Sequence, residues 1–315
     1  MGDAAGPAIE ATGLVMRYRA RSGPVEAVRE LSVRVERGER IAYIGPNGAG
    51  KSTSIKILTG ILRPTAGSAR VLGFVPWQER RRLAARIGTL FGQRSQLWPE
   101  LTARQSLRML AAIYGLDRRR EEQRVGELGK LLEADDLFGT PVRQLSLGQR
   151  MRCELAACLL HEPEIVFLDE PTIGLDLLAK QRLRTLLVRL NEVAGTTVFL
   201  TSHDVADIEQ VAERVVVINA GRVIYDDTVP ALRRSLLAAK LVEVGLERPA
   251  ADFLLDGVQV IEQTDVLLRL SVDTRRTSIG TVVDAVLQRC AVNDLSVLDP
   301  PLEQVIGEIY AGAQP

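Results

Sequence analysis

Gly45-Pro46-Asn47-Gly48-Ala49-Gly50-Lys51-Ser52-Thr53 is the stretch whose reading decides the fold. It fits the pattern G-x-x-x-x-G-K-[S/T], with the apolar run Ile41, Ala42, Tyr43, Ile44 before it and a helix-like run from Ser54 to Leu58 after it. Strand, loop and helix in that order are the setting a phosphate-binding loop needs. Its glycines let backbone N–H groups close around phosphate oxygens, and the helix N-terminus adds partial positive charge. Lys51 is then expected against β- and γ-phosphates, and the Ser52 hydroxyl against Mg2+. A plain Gly-rich turn is the competing reading of the motif taken alone.

Around this stretch lie 315 residues, enough for about two domains at roughly 150 each. Hydrophobic residues make up 46% and charged residues 25%, ordinary values for a soluble globular chain. Lys+Arg and Asp+Glu are both 40, so the net charge is zero and gives no sign of a nucleic-acid surface or a polybasic membrane anchor. Cys153, Cys158 and Cys290 have no metal or redox spacing and read as reduced thiols of a cytosolic protein. Met1 to Pro7 is unlike a signal peptide. No apolar run approaches the ~20 residues of a membrane span, so action at a membrane would have to pass through a partner.

Ahead of the loop, Ile9 to Val15 and Ala27 to Val35 alternate like strands, with a turn near Arg21 to Pro24. Tyr18 closes the first; such an aromatic can stack on an adenine ring or merely pack. Behind the loop, Ala69 to Phe74 reads as a short strand, Arg80 to Arg86 as a solvated basic helix, and Ile87 to Phe91 as a buried strand. Gln93 is the first polar side chain past the carboxyl end of that strand, where open α/β sheets bind ligands. Its amide can ligate Mg2+, hold an attacking water, or do nothing in a loop.

From Leu101 to about Asp136 the pattern is helical, with a second helix over roughly Val125 to Leu132, and reads as an all-α insertion. Leu145-Ser146-Leu147-Gly148-Gln149 then leads into a helix expected over Arg150 to Leu160. Ser146 and Gly148 at its start form a second candidate anion site, although on its own the run reads as an N-cap. Ile165 to Leu168 is an apolar run ending in Asp169 and Glu170, as a buried parallel strand ends at its exposed tip. Asp169 is the candidate to hold Mg2+ through its water shell, and Glu170 to polarise an attacking water. Asp176, after Gly174, precedes a helix over Leu178 to Leu190 and can be its N-cap. Thr197 to Leu200 is another buried strand, and His203 beyond its end can reach a γ-phosphate or cap the helix Val205 to Ala212. Val215 to Asn219 and Val223 to Tyr225 close the unit.

Together these residues resemble the nucleotide-binding subunit of ATP-binding-cassette (ABC) transporters. Seven motifs stand in that family's order: the A-loop aromatic (Tyr18), Walker A (Gly45 to Thr53), Q-loop (Gln93), signature (Leu145 to Gln149), Walker B (Ile165 to Glu170), D-loop (Gly174 to Asp176) and switch histidine (His203). The resemblance covers about residues 8 to 235. It implies a P-loop NTPase fold with a RecA-like α/β core, an antiparallel β subdomain and a helical subdomain over about 96 to 160. It also implies ATP and Mg2+ as ligands and a head-to-tail dimer, with ATP between the phosphate loop of one protomer and the signature of the other. In that dimer Tyr18, the Walker A residues, Ser146, Gly148, Gln149 and Asp176 touch nucleotide. Ser52, Gln93 and Asp169 serve the metal, and Glu170, His203 and Gln93 serve hydrolysis. The partner is an integral membrane permease, with Arg94, Leu97 and Trp98 as candidates for its docking groove, and the chain is then peripheral on the inner face of the membrane. The ATPase subunit pairs with a second copy or with a sister. One departure stands out: Leu147 occupies the third signature position, where the family has Gly. The runs Phe91 to Trp98 and Ser146 to Arg152 look like the drug- and viologen-exporter branch. A soluble ABC ATPase of translation or DNA maintenance would carry two cassettes or a long coiled coil, and an importer ATPase a longer β-barrel-like tail.

From about Lys240 to Pro315 the chain reads as a separate α+β unit. Strands are expected at Leu241 to Leu246, Val258 to Ile261, Val266 to Val272 and Leu295 to Leu298, and helices at Ala250 to Leu255 and Thr277 to Cys290. The order β-α-β-β-α-β suggests a small ferredoxin-like domain serving dimer support or regulation.

Overall fold

The structure, a computed structural model, describes residues 6–20, 23–91, 95–202, 204–236, 239–249, 253–298 and 309. The chain divides into two compact units, Met1–Asp227 and Thr228–Pro315.

The first unit opens with β1 (Ile9–Ala20) and β2 (Gly23–Val35). β3 (Arg40–Ile44) runs into α1 (Lys51–Leu58). Next come β4 (Ala66–Val71), α2 (Arg80–Ala84) and β5 (Ile87–Phe91). Helices α3 (Ala103–Ile113), α4 (Arg118–Leu131) and α5 (Leu147–Leu159) follow. The remaining elements are β6 (Ile165–Asp169), α6 (Leu177–Ala194), β7 (Thr197–Thr201), α7 (Val205–Val211), β8 (Arg214–Asn219) and β9 (Arg222–Thr228).

Two sheets share the work. β2, β1 and β4 form an antiparallel sheet in that order. Val28, Leu31, Val33 and Val35 of β2 are buried between exposed neighbours, the alternation of a sheet with one wet face. The six-stranded sheet has the order β5-β6-β7-β3-β8-β9, and the pairs from β5 to β8 are parallel. Its central strands are buried on both faces, hence their unbroken apolar runs. The period of two shows in β6: Ile165 and Phe167 join the core shared with β1, β2 and α1, whereas Val166 and Leu168 join the core built by α3 to α6. One sheet thus carries the phosphate loop on one side and the helical insertion on the other. Its carboxyl ends form the rim where the chemistry gathers.

Several boundaries differ from the sequence reading. The helical run is cut at Gly115, which takes φ +74°, and α4 begins at Arg118 because the Asp117 carboxylate accepts the Arg120 N–H at 2.8 Å. β4 lies earlier than expected and stops at Val71, where Val71 and Phe74 exchange backbone hydrogen bonds of 2.9 Å around a tight turn at Leu72 and Gly73. α5 starts at Leu147, three residues before the expected Arg150. The Ser146 hydroxyl accepts the Gln149 N–H and the Gln149 side chain accepts the Ser146 N–H, a reciprocal capping box.

The second unit holds α8 (Val229–Leu236), β10 (Ala239–Leu246), β11 (Val258–Gln263), β12 (Leu267–Asp273), α9 (Ile279–Arg289) and β13 (Val292–Leu298). Its sheet is antiparallel in the order β11-β12-β10-β13. Val242, Val244, Leu268, Leu270 and Val272 pack with Val282 and Val286 of α9 and with Phe253. Of the helix expected at 250–255, residues 253–255 are not helical and 250–252 lie outside the described residues.

Candidate ATP site

The phosphate loop turns from the buried β3 into α1 by way of two glycines whose hydrogen atoms face backbone. A Cβ on Gly45 would stand 2.5 Å from the Ile218 carbonyl oxygen. One on Gly50, at φ +104°, would stand 2.4 Å from that of Ala27. Pro46, Asn47 and Gly48 are exposed at the crest, while Ala49 is buried and its carbonyl accepts the Gly221 N–H at 3.0 Å. Ser52 and Thr53 lie in the first turn of α1. Lys51 is buried, 8% exposed, and its Nζ donates to the Gly45 carbonyl at 2.5 Å and the Pro46 carbonyl at 3.4 Å. Burial pushes its pKa below the usual lysine value, against the opposing pull of the Glu170 and Asp169 carboxylates. The ammonium therefore rests on the carbonyls that bracket the loop, with two carboxylates near enough to act on it.

Those carboxylates come from the tip of β6. Asp169 Oδ2 accepts from Ser52 Oγ at 3.1 Å, across 117 residues of sequence. Its Oδ1 accepts from Thr201 Oγ1 at 2.7 Å, and Thr201 Oγ1 in turn accepts the Glu170 N–H at 3.0 Å. Glu170 sits in the left-handed region at φ +54°, uncommon for a residue with a side chain. Such a conformation persists only where its surroundings hold it, and it concentrates at functional sites. A serine hydroxyl beside a carboxylate, next to a loop only glycine can shape, is a hard oxygen set that suits Mg2+ with nucleotide phosphate.

Tyr18, partly exposed on β1, faces Val25 of β2. Two residues on, Ala27 presents its carbonyl to Gly50, so β2 connects the aromatic to the phosphate loop.

The signature and the D-loop converge on a different groove. Ser146, Gly148 and Gln149 of the first and Leu175 and Asp176 of the second line a cavity of about 490 Å3. Asp176 caps α6, its carboxylate accepting the Ala179 N–H at 2.8 Å. A Cβ on Gly174 would stand 2.7 Å from Leu147 Cδ2, so the Leu147 side chain lies over the D-loop glycine of its own chain. Leu147, Ile173, Leu177 and Leu178 form an exposed apolar rim.

Gln93, Arg94 and His203 lie outside the described residues. Leu97 is 3% exposed and belongs to the helical core, which removes it from the surface expected of it, whereas Trp98 is 36% exposed. Among the described residues no helix is long and apolar enough to cross a membrane. Sequence reasoning passed over Thr201, Asp207 and Arg184. Thr201 had one signal, a hydroxyl at the tip of a buried strand beside β6. Asp207 and Arg184 had none, since ordinary helical charges read as solvated.

The chain is similar to known proteins. A family model described as ABC transporter matches residues 28–173. The chain is 37% identical to the daunorubicin resistance ATP-binding protein DrrA3 of Streptomyces coeruleorubidus, over 95% of this chain and 94% of that one. It is 34% identical to the Nod factor export ATP-binding protein I of Rhizobium etli, over 70% of each. The dimeric structure of the bacterial ABC transporter cassette MJ0796 superposes with a TM-score of 0.65 at 26% identity, covering 70% of this chain and 98% of that one. The same cassette, in a post-hydrolysis state bound to ADP and Pi, superposes equally well. With 37% identity to such a subunit over nearly its whole length, the chain belongs to the ABC transporter ATP-binding family of ATP-hydrolysing cassettes.

Proposed function

We propose that the chain is the energy-coupling ATPase of a membrane exporter, working as an ATP-sandwiched dimer on the inner face of the membrane. The observation that carries the site is the Ser52–Asp169 contact beside Lys51, which joins the phosphate loop to the tip of β6. In this reading the Gly45 to Thr53 loop and Lys51 hold the ATP phosphates and Tyr18 packs on the base. Ser52 and Asp169, with Gln93, hold Mg2+. The metal, when bound, neutralises phosphate charge. Glu170 polarises the attacking water, and His203 steadies the terminal phosphate.

The chain supplies its own phosphate loop in one place and its signature in another groove beside the D-loop. The exposed rim of Leu147, Ile173, Leu177 and Leu178 flanks that groove, as a surface met by a second protomer would. The partner protomer is a second copy or a sister subunit, and the permease reaches the helical subdomain, over about 96–160, near Trp98. The tail from about 240 onward is assigned as a ferredoxin-like accessory domain for dimer support or regulation, on the strength of its β11-β12-β10-β13 order. Export as the direction is supported by the names of the drug-resistance and Nod-factor relatives.

Tagged protein purified from the membranes of its own cells is expected to carry a multi-span membrane protein in roughly equal amount. Recovery only from the soluble fraction, with ribosomes or DNA-maintenance proteins, would overturn the exporter assignment and leave the ATPase standing.

Leu147 supplies a further test. A branched side chain at the start of α5 adds bulk where backbone would approach nucleotide across the dimer. Leu147→Gly is expected to tighten ATP-driven dimerisation, read as the dimer fraction by size-exclusion chromatography against ATP concentration. An unchanged or weaker dimer rejects the steric role and leaves Leu147 as packing for Gly174.

A further inference from the structure

Behind the acid pair lies a buried carboxylate that no part of the phosphate chemistry requires. Asp207 of α7 is 0% exposed. Its Oδ2 accepts from Thr172 Oγ1 at 2.6 Å and from Ser202 Oγ at 2.5 Å. Its Oδ1 accepts from Arg184 Nε of α6 at 2.6 Å, and Arg184 is 5% exposed. The same guanidinium reaches Asp204 at 3.1 Å, and Lys180 holds Asp204 at 2.7 Å. The Ser202 hydroxyl also accepts the Asp204 N–H at 2.9 Å.

Both hydroxyl residues tied to Asp207 stand close in sequence to the acid pair or its support. Thr172 is two residues past Glu170. Ser202 directly follows Thr201, whose hydroxyl joins Asp169 to the Glu170 backbone. The left-handed backbone of Glu170 is thus held from both sides. Upstream, its N–H is fixed by Thr201 through Oγ1 at 3.0 Å and the carbonyl at 3.2 Å. Downstream, the turn is anchored by Thr172 on Asp207. A fully buried ion pair of this kind adds little net stability against an apolar replacement. What it can supply is position, because a buried carboxylate with three charge-assisted donors tolerates little displacement.

We propose that Asp207, set by Arg184, is a positioning residue for ATP hydrolysis: through Thr172 and Ser202 it holds Glu170 and Asp169 in their working geometry. The inference rests on Glu170 acting as the base. It touches neither nucleotide nor metal and acts only through the turn.

The test is steady-state ATPase of the full-length chain, with binding stoichiometry of a fluorescent ATP analogue and thermal melting measured on the same preparations. Thr172→Val removes one hydroxyl at nearly constant volume and leaves the Arg184–Asp207 pair intact. It is expected to lower kcat by about tenfold or more, since displacements of about 1 Å cost on the order of 100-fold, while KM and stoichiometry stay within about threefold. Thr172→Ser is expected to restore turnover, and Ser202→Ala to repeat the loss. A Thr172→Val protein that binds ATP and keeps kcat within about twofold overturns the inference. So does one whose kcat and binding stoichiometry fall together, because that is loss of folded protein. Glu170→Gln in the same assay separates the two levels: if it turns over normally, the reading of the base fails; if it is inactive while Thr172→Val is normal, only the positioning role fails.

Discussion

Glu170→Gln is expected to lower ATP turnover by about 100- to 10,000-fold, the contribution of a well-placed general base, while ATP still binds. At about 1.36 kcal/mol per tenfold, this is roughly 3–5 kcal/mol of transition-state stabilisation. The substitution keeps size and planarity, so the φ +54° turn and the Thr201 contacts to the Glu170 backbone have no reason to move. What is lost is a carboxylate able to take a proton. Because ATP is then held without being cleaved, the ATP-bound dimer accumulates, and light scattering or size-exclusion chromatography with ATP reports it. Turnover at the unsubstituted rate would remove Glu170 from the chemistry and direct attention to other groups on the rim.

Lys51→Met is the second large effect, and it falls on binding. Lys51 carries a positive charge in a buried setting where its Nζ donates to the Gly45 and Pro46 carbonyls, contacts that a phosphate can replace. A hydrogen bond to a charged group contributes about 1.5–3 kcal/mol, so losing one such contact weakens ATP by roughly 10- to 150-fold. Equilibrium titration with a fluorescent ATP analogue reads this directly, with melting as a check on folding. A pH dependence follows with a definite sign. Burial lowers the Lys51 pKa, so in the nucleotide-free protein the ammonium loses its proton below the ordinary lysine value. The affinity of the unsubstituted protein is expected to decline as pH rises toward that value, and the Lys51→Met protein to lack this decline. Equal affinity of the two proteins at neutral pH would place the phosphates elsewhere.

Much of this site is legible in one dimension because its parts are local. The Gly45 to Thr53 loop encodes its own turn: Gly50 is required wherever φ is +104° and backbone approaches from Ala27. The Ile165 to Asp169 run encodes a buried strand with an exposed acidic tip, since a buried unpaired carboxylate is too costly. The capping box that starts α5 also stands in the sequence, in Ser146 and Gln149, although the helix was expected to begin later.

What the sequence by itself determined is the inventory: a phosphate loop, an acid pair at a strand end, a signature at a helix start, and membership of the ABC cassette family. Each motif depends on residues within about ten positions of one another, where propensity, capping and turn chemistry act directly, and the family follows from the order of the motifs along the chain. Tertiary structure alone decided which of these parts meet. Ser52 finds Asp169 because β6 and β3 both flank β7 in one parallel sheet. Leu147 comes to lie on Gly174 because α5 packs beside the start of α6. Asp207, an unremarkable acid in a seven-residue helix, becomes the buried anchor of the Glu170 turn once Arg184, Thr172 and Ser202 close around it. The physical reason is the same in each case. A charge reads as solvated until the fold removes water from it, and the partners that then satisfy it are chosen by sheet order and helix packing rather than by spacing along the chain.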